Sequence, residues 1–295
     1  MIIIRIRQSF FILCLYFFQV RSVSWSCFPI SFLPQGPGIP QDPGPSPKRR
    51  TMELSNDLAL KSIQASINSY RGEYGNWKPF LENPNRYKIN HTEFDTGVSA
   101  SILFICFQGS SGGKDWKDNL RFWKTGKLVA PFATKGDIRI HSGFYDQYYE
   151  VHDTIRDIVE TALETEKIKG VVFCGHSLGG ALATLAAVDI QFNYDVDIAL
   201  LTFGSPRVGN KAFALSTNKR IPQSLRFVLR NDMVTKVPFL GFYHVDAEIR
   251  LGVREWYRPL AFLLGNPWDH YPEKYQDRLL AGDYQLILNK NRVVA

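Results

Sequence analysis

The sequence predicts an α/β domain in which helices cover both faces of a mostly parallel central sheet. Short and almost uninterrupted apolar runs are typical of strands buried on both faces, and such runs alternate here with helical stretches. This alternation favours parallel strands joined by crossover helices. The predicted strands lie at about residues 101–107, 138–140, 170–174, 198–203 and 225–229, and the predicted helices at about residues 52–69, 143–166 and 181–190.

Length and composition exclude two classes of protein. The chain has 295 residues, of which 45% are hydrophobic, so it has enough apolar side chains for a substantial core and is not extensively disordered. No apolar run is long enough to span a bilayer, and we therefore expect no stable transmembrane segment. The four scattered cysteines and the lack of a calcium-loop pattern predict no disulfide scaffold, no metal and no organic cofactor.

The formal net charge of +7 is concentrated near the N-terminus. Residues 1–50 carry six basic side chains and one acidic side chain, which leaves 29 basic and 27 acidic residues in the remainder, 51–295. A nucleic-acid-binding protein distributes basic groups over its folded surface to neutralise phosphates. We therefore predict no nucleic-acid partner.

The first fifty residues resemble a leader followed by a linker. Arg5 and Arg7 precede a mostly apolar segment at 9–20, as in a signal peptide, which we place at 1–24. Prolines and glycines make 25–50 a linker or pro-segment, and its terminal Lys48-Arg49-Arg50 is either a processing site or solvated linker charge. We predict a secreted protein, and the alternative is a cytoplasmic protein that starts at Met52 after a spurious leader. Residues 51–295 form the predicted domain.

A nucleophile motif lies between a predicted strand and an Ala-rich predicted helix. Residues 175–179 read Gly-His-Ser-Leu-Gly, and a strand–turn–helix of this pattern projects a nucleophilic serine. Such a sharp turn strains the serine backbone and brings the two flanking glycines so close that a Cβ would clash. We predict that Ser177 is the nucleophile, and the alternative is a structural turn serine.

A serine nucleophile requires a histidine base and an acid that orients it. In folds with this turn the acid and then the histidine follow the serine along the chain, which leaves His244 and His270 as candidate bases. His270 lies in a loop punctuated by Gly and Pro, whereas His244 lies in a strand-like alternating run, so we favour His270. Asp232 directly follows a predicted strand, where sites of open α/β sheets form, and is the predicted acid.

An acyl-transfer site also needs two donors for the oxyanion. One is the backbone N–H of Leu178, the residue after the nucleophile, and the second comes from the loop after an earlier strand. The turn at Gln108-Gly109-Ser110 follows such a strand, and Ser110 offers both an N–H and a hydroxyl. The alternative is a plain Gly-Ser loop.

Six segments, in order, resemble the fungal triacylglycerol lipase family, also called class 3 lipases, over roughly residues 63–275. They read FQGSSGGKDW, IHSGFYDQY, GHSLGGALATLAA, TFGSPRVGN, RNDMVTKVPF and DHYPEKY. The resemblance implies an α/β-hydrolase fold, a Ser177, Asp232 and His270 triad, and an oxyanion hole at Ser110 and Leu178. Gln108 stands where the family often has arginine.

The resemblance also implies a lid at about residues 111–122. Its apolar residues Trp116, Leu120 and Phe122 are interleaved with charged residues, and we expect the segment to open at a lipid–water interface. His141 falls in another family segment, and we predict a structural role for it.

The function predicted from these features is hydrolysis of carboxylic esters. We expect a lipase that cleaves acylglycerol esters through an acyl-enzyme on Ser177, with the lipid ester and the lipid–water interface as its partners. A phospholipase A1 or feruloyl esterase is an alternative, because both use the same fold and triad. A catalytically inactive lipid-binding protein is disfavoured, since a binder has no use for a strained serine turn.

Overall fold

The computed structural model describes residues 52, 54–71, 81–110, 128–129, 137–245, 247–252 and 267–287. All of these residues lie in one compact unit, Arg50–Ala295. The predicted signal peptide at 1–24 and linker at 25–50 lie outside the described residues, so these boundaries stay predictions. Within the described ranges, no helix is long and apolar enough to cross a membrane.

A central sheet of eight strands organises the described part of the chain. The described part of the chain has these eight strands and one separate pair, β4 and β5. The bounds are β1 Glu82–Ile89, β2 Thr92–Ser99, β3 Ile102–Phe107, β4 Leu128–Val129, β5 Ile140–His141, β6 Gly170–His176, β7 Asp197–Phe203, β8 Ser224–Leu229, β9 Ala247–Leu251 and β10 Tyr284–Ile287. The sheet order is β1-β2-β3-β6-β7-β8-β9-β10, and β4 pairs separately with β5. Pairing is parallel from β3 to β9 and antiparallel at both edges, which confirms the predicted mostly parallel sheet.

Helix α1 precedes β1, and the other described helices lie in connections between the strands. The described helices are α1 Asn56–Arg71, α2 Ser142–Tyr149, α3 His152–Thr161, α4 Leu178–Asn193, α5 Lys211–Arg220 and α6 Pro272–Leu280. The single helix predicted over 143–166 is wrong, because the chain turns between α2 and α3 and ends in a π-helical turn at Ala162–Glu166. The Val151 N–H binds the Tyr148 carbonyl three residues back, and this tight turn buries the Val151 side chain completely.

Two apolar layers hold the helices against the sheet, one on each face. Alternate residues of β6 belong to different layers: Val171 and Phe173 pack with residues of α2, α3 and α4. Val172 and Cys174 pack with residues of α1 and α6. A strand that is buried on both faces must be apolar at every position, which explains the uninterrupted run in this part of the sequence.

The parallel order brings several loops to one edge of the sheet. The carboxyl ends of adjacent parallel strands meet at a common edge, where sites of open α/β sheets form. Here β3 leads to Gln108, β6 to Ser177, β7 to Gly204 and β8 to the turn before Asp232. The topology therefore gathers loops that are far apart in the sequence.

Candidate active site

Ser177 occupies a strained turn between β6 and α4. Its backbone has φ 59° and ψ −127°, a conformation that costs on the order of 1–3 kcal/mol for a residue with a side chain. A Cβ on Gly175 would lie 2.4 Å from the Gly179 carbonyl, and one on Gly179 would lie 2.1 Å from the Phe107 oxygen. The two glycines are therefore required by close backbone approach, as the motif predicts.

The structure brings Ser177, His270 and Asp232 into one hydrogen-bonded chain. His270 Nε2 lies 2.8 Å from Ser177 Oγ, and His270 Nδ1 lies 2.8 Å from Asp232 Oδ2. A carboxylate only accepts hydrogen bonds, so Nδ1–H donates to Asp232 and Nε2 is left to accept the Ser177 proton. Ser177 is 4% exposed and Asp232 is fully buried, so water has little access to either group.

The Asp232 carboxylate has two further donors. Its Oδ1 accepts from the Val234 N–H at 2.8 Å, and its Oδ2 accepts from the Tyr275 hydroxyl at 2.5 Å. Burial, followed by the charge of Asp232, raises the pKa of Tyr275 well above its usual value, so the phenol keeps its proton. Sequence reasoning missed Tyr275, although its position on the helix after His270 was a signal that it faces the same site.

His244, the alternative base, supports the acid loop instead. Its Nε2 lies 2.6 Å from the carbonyl oxygen of Thr235, and the Thr235 hydroxyl donates to the Asp232 carbonyl at 2.9 Å. Burial lowers the pKa of His244 well below its usual value, and the charges of Arg226 and Arg207 lower it further. His244 is therefore a neutral donor that stabilises the turn carrying Asp232.

The two expected oxyanion donors follow adjacent strands. Leu178 is the first residue of α4, where backbone N–H groups have no partner within the helix and the helix dipole favours negative charge. The loop 108–110 follows β3, and the Gln108 N–H donates to the Glu93 carbonyl at 3.0 Å. The Ser110 hydroxyl oxygen is buried and has no hydrogen-bond partner among the described residues, so this donor is available to a ligand.

Two other predicted features lie apart from this chain of hydrogen bonds. His141 accepts a hydrogen bond from the Gly143 N–H at 3.1 Å and stacks on Phe144 at 4.3 Å, so it caps α2. The predicted lid residues Trp116, Leu120 and Phe122 lie outside the described residues, and the lid stays a prediction. In the ranges that the structure describes, no group of three or more His, Cys, Asp or Glu side chains could hold a metal ion.

The sheet order and the strained serine turn define an α/β-hydrolase fold, which confirms the predicted fold class. Residues 104–242 match the family described as Lipase (class 3), so this stretch of the chain is similar to that family. The Rhizomucor miehei triacylglyceride lipase structure matches with a TM-score of 0.59 and 26% identity, covering 66% of this chain and 79% of that one.

Curated relatives carry more than one activity in their names. The chloroplastic phospholipase A(1) DAD1 of Arabidopsis thaliana is 33% identical over 149 residues, covering 46% of this chain and 33% of that protein. The secreted mono- and diacylglycerol lipase 1 of Fusarium solani is 33% identical over 167 residues, covering 52% of this chain and 47% of that protein. The chain thus spans between a third and a half of the length of these relatives.

Proposed function

We propose that the protein is a serine ester hydrolase that cleaves acylglycerol esters through an acyl-enzyme on Ser177. The observation that carries this proposal is the hydrogen-bonded chain from Ser177 Oγ through His270 to buried Asp232. A buried carboxylate that accepts the Nδ1–H of a histidine holds the tautomer whose other nitrogen removes a proton from serine. These contacts support a nucleophilic mechanism better than simple lipid binding.

The proposed reaction begins when the Ser177 oxygen attacks the ester carbonyl. His270 Nε2 accepts the serine proton, and Asp232 stabilises the imidazolium that forms. The N–H of Leu178 and the donors of Ser110 bind the oxyanion, and loss of one such donor costs about 10²–10³ in kcat. His270 then protonates the leaving alcohol as the acyl-enzyme forms. His270 next deprotonates a water molecule that attacks the acyl carbonyl, and it returns this proton to the Ser177 oxygen as the carboxylic acid leaves.

The proposed substrates are neutral acylglycerols, with phospholipids as a second candidate. The Fusarium solani relative is named a mono- and diacylglycerol lipase, which supports the first class. The Arabidopsis thaliana relative is named a phospholipase A(1), which supports the second. Both reactions use the same attack on an ester carbonyl, so the difference lies in how the head group is bound.

The test is release of fatty acid from a panel of mono-, di- and triacylglycerols and phosphatidylcholine. The purified chain should hydrolyse at least one acylglycerol, and Ser177→Ala should abolish that release. Preference for phosphatidylcholine would favour the second candidate. Release that persists in Ser177→Ala, or no release from any member of the panel, would overturn the proposal.

We also propose that the protein is secreted after removal of a signal peptide. The charged and apolar segment at the N-terminus and the secreted Fusarium solani relative support this proposal. Expression in a eukaryotic secretory host, followed by N-terminal sequencing of protein from the medium, tests it. We expect a mature N-terminus near residue 25, whereas retention in the cell with an intact N-terminus contradicts secretion.

A further inference from the structure

The Tyr70 hydroxyl lies behind the candidate site, between two loops that carry its functional groups. Tyr70 is near the end of α1, and its oxygen lies 2.8 Å from Nδ1 of His176. The same hydroxyl packs closely against Gly109, where an added Cβ would lie 1.9 Å from the Tyr70 oxygen. Gly109 belongs to the loop that bears Ser110, and His176 is the residue directly before Ser177. The Tyr70 phenol therefore contacts both the Ser110 loop and the nucleophile turn.

The direction of the hydrogen bond between Tyr70 and His176 follows from the protonation of the two groups. A protonated phenol donates and a neutral imidazole has one nitrogen that accepts, so the Tyr70 proton is directed at His176 Nδ1. Burial raises the pKa of Tyr70 well above its usual value, which keeps that proton in place. Burial also lowers the pKa of His176 well below its usual value, and a neutral ring has a nitrogen that accepts.

His176 contacts both Tyr70 and the candidate base, His270. His176 is 2% exposed, and its ring packs on the ring of His270 with centroids 4.5 Å apart. The edge of the same ring meets Tyr275 at 5.7 Å. Displacement of His176 would therefore change the packing of His270 and Tyr275, the two side chains that bind Asp232 Oδ2.

The packing around Gly109 leaves no room for movement towards Tyr70. A Cβ on Gly109 would lie 1.9 Å from the Tyr70 oxygen and 2.7 Å from the backbone oxygen of His176. The loop that bears Ser110 is thus in direct contact with the phenol and with the nucleophile turn. The position of this loop relative to Ser177 is set at these two contacts.

We infer that Tyr70 is a positioning residue whose hydroxyl holds the Ser110 loop in register with Ser177, so that the second oxyanion donor is in place before substrate binds. The inference rests on the proposed ester hydrolysis. Tyr70 touches neither the nucleophile nor the oxyanion, and acts through Gly109 and His176. A fixed donor is effective because it needs no reorganisation when charge develops on the carbonyl oxygen.

Tyr70→Phe tests the inference, because it keeps the ring and removes only the hydroxyl. Complete loss of an oxyanion donor costs about 10²–10³ in kcat, so a misplaced donor should lower kcat by about tenfold or more. The Ki of an alkyl boronic acid, which forms a tetrahedral adduct on serine, should rise by a similar factor. KM for a soluble short-chain ester should stay within about twofold, because ground-state binding does not use the donor.

Tyr148→Phe is the matched control. Tyr148 is fully buried, and its hydroxyl donates to Asp189 at 2.7 Å on the α2–α4 side of the sheet. This variant loses a buried tyrosine hydroxyl in the same way, so its melting temperature should fall while kcat and the boronic acid Ki remain those of the wild type. A purely structural Tyr70 would behave as Tyr148 does.

Gly109→Ala supplies a second variant, which keeps the Tyr70 hydroxyl and displaces the loop. It should lower kcat and weaken boronic acid binding together, with KM again little changed. Wild-type kcat and Ki in Tyr70→Phe or in Gly109→Ala would overturn the inference while ester hydrolysis stands. A wild-type chain that hydrolyses no ester would instead overturn the proposed function, and the inference with it.

Discussion

The buried charge of Asp232 shows how single residues support the proposed chemistry. A buried carboxylate is tolerated only when hydrogen bonds replace its hydration, and Asp232 accepts from Val234, His270 and Tyr275. Two of these donors share Oδ2, which concentrates negative charge on the atom that faces His270. The carboxylate is thereby positioned to stabilise an imidazolium.

Tyr275→Phe should destabilise the fold at this carboxylate. Loss of a hydrogen bond to a charged group costs about 1.5–3 kcal/mol of unfolding free energy, which urea denaturation would measure. Tyr284→Phe is the control, because Tyr284 lies on edge strand β10 and is 46% exposed. Equal stability of the two variants would show that the Tyr275 hydroxyl does not support Asp232.

Asp232→Asn should abolish most activity without unfolding the protein. An amide in place of the carboxylate favours the wrong tautomer of His270, and in serine hydrolases with a Ser-His-Asp triad this change lowers kcat by about 10⁴. Steady-state kinetics on a soluble ester would measure the loss, with exposed Asp157→Asn on α3 as control. A kcat within tenfold of the wild type would remove Asp232 from the triad.

At the scale of elements, the nucleophile turn depends on how closely α4 approaches β3. A Cβ at position 179 would meet the backbone oxygen of Phe107, which cannot move without disturbing the sheet. Gly282, by contrast, has φ 67°, and no atom of the described residues comes within 4 Å of where its Cβ would lie. Gly179 is therefore required because a side chain there would clash, whereas Gly282 is favoured only because its backbone is left-handed.

Gly179→Ala should be more damaging than Gly282→Ala. Overpacking typically costs about 1–3 kcal/mol and sometimes more, and the strain at Gly179 should also displace Ser177 and lower kcat. The left-handed backbone at Gly282 should cost only about 1–2 kcal/mol and leave kcat unchanged. Thermal unfolding and ester hydrolysis on both variants would check this, and similar kcat values in the two would contradict it.

Whether the sequence predicts an element depends on how that element is buried. Strands β3, β6, β7 and β8 are predictable because burial on both faces makes them continuously apolar. The hairpin of β1 and β2 is not, since β1 reads ENPNRYKI, a polar run without that pattern.

The candidate site is predictable to a similar degree. Chain order and the strand ends point to Ser177, Asp232 and His270, but not to Tyr70, whose partner His176 is 106 residues away. Such contacts depend on packing between distant elements, which local patterns do not encode.

For the whole molecule, the buried histidines predict a loss of stability in acid. His176 and His244 have folded pKa values well below the usual 6.5, so below pH 6.5 the unfolded chain binds more protons than the folded chain. The unfolding free energy should therefore fall as pH decreases, by about 1.4 kcal/mol per pH unit for each histidine. Above pH 6.5 this contribution to stability is fully present.

Replacement of His244 should make this pH dependence shallower. Urea denaturation of His244→Gln between pH 6.5 and pH 5 should show a slope smaller by about 1.4 kcal/mol per pH unit. His91→Gln is the control, because His91 lies in an exposed turn between β1 and β2. Identical slopes in His244→Gln and the wild type would contradict a neutral His244 in the folded protein.

The most direct measurement of the central claim is labelling of the native chain with a fluorophosphonate, followed by peptide mass spectrometry. The proposed mechanism predicts one adduct, on Ser177, that is absent in Ser177→Ala and forms much more slowly in His270→Gln. A folded chain that acquires no adduct, or acquires it on a different residue, would contradict the assignment of Ser177 as the nucleophile.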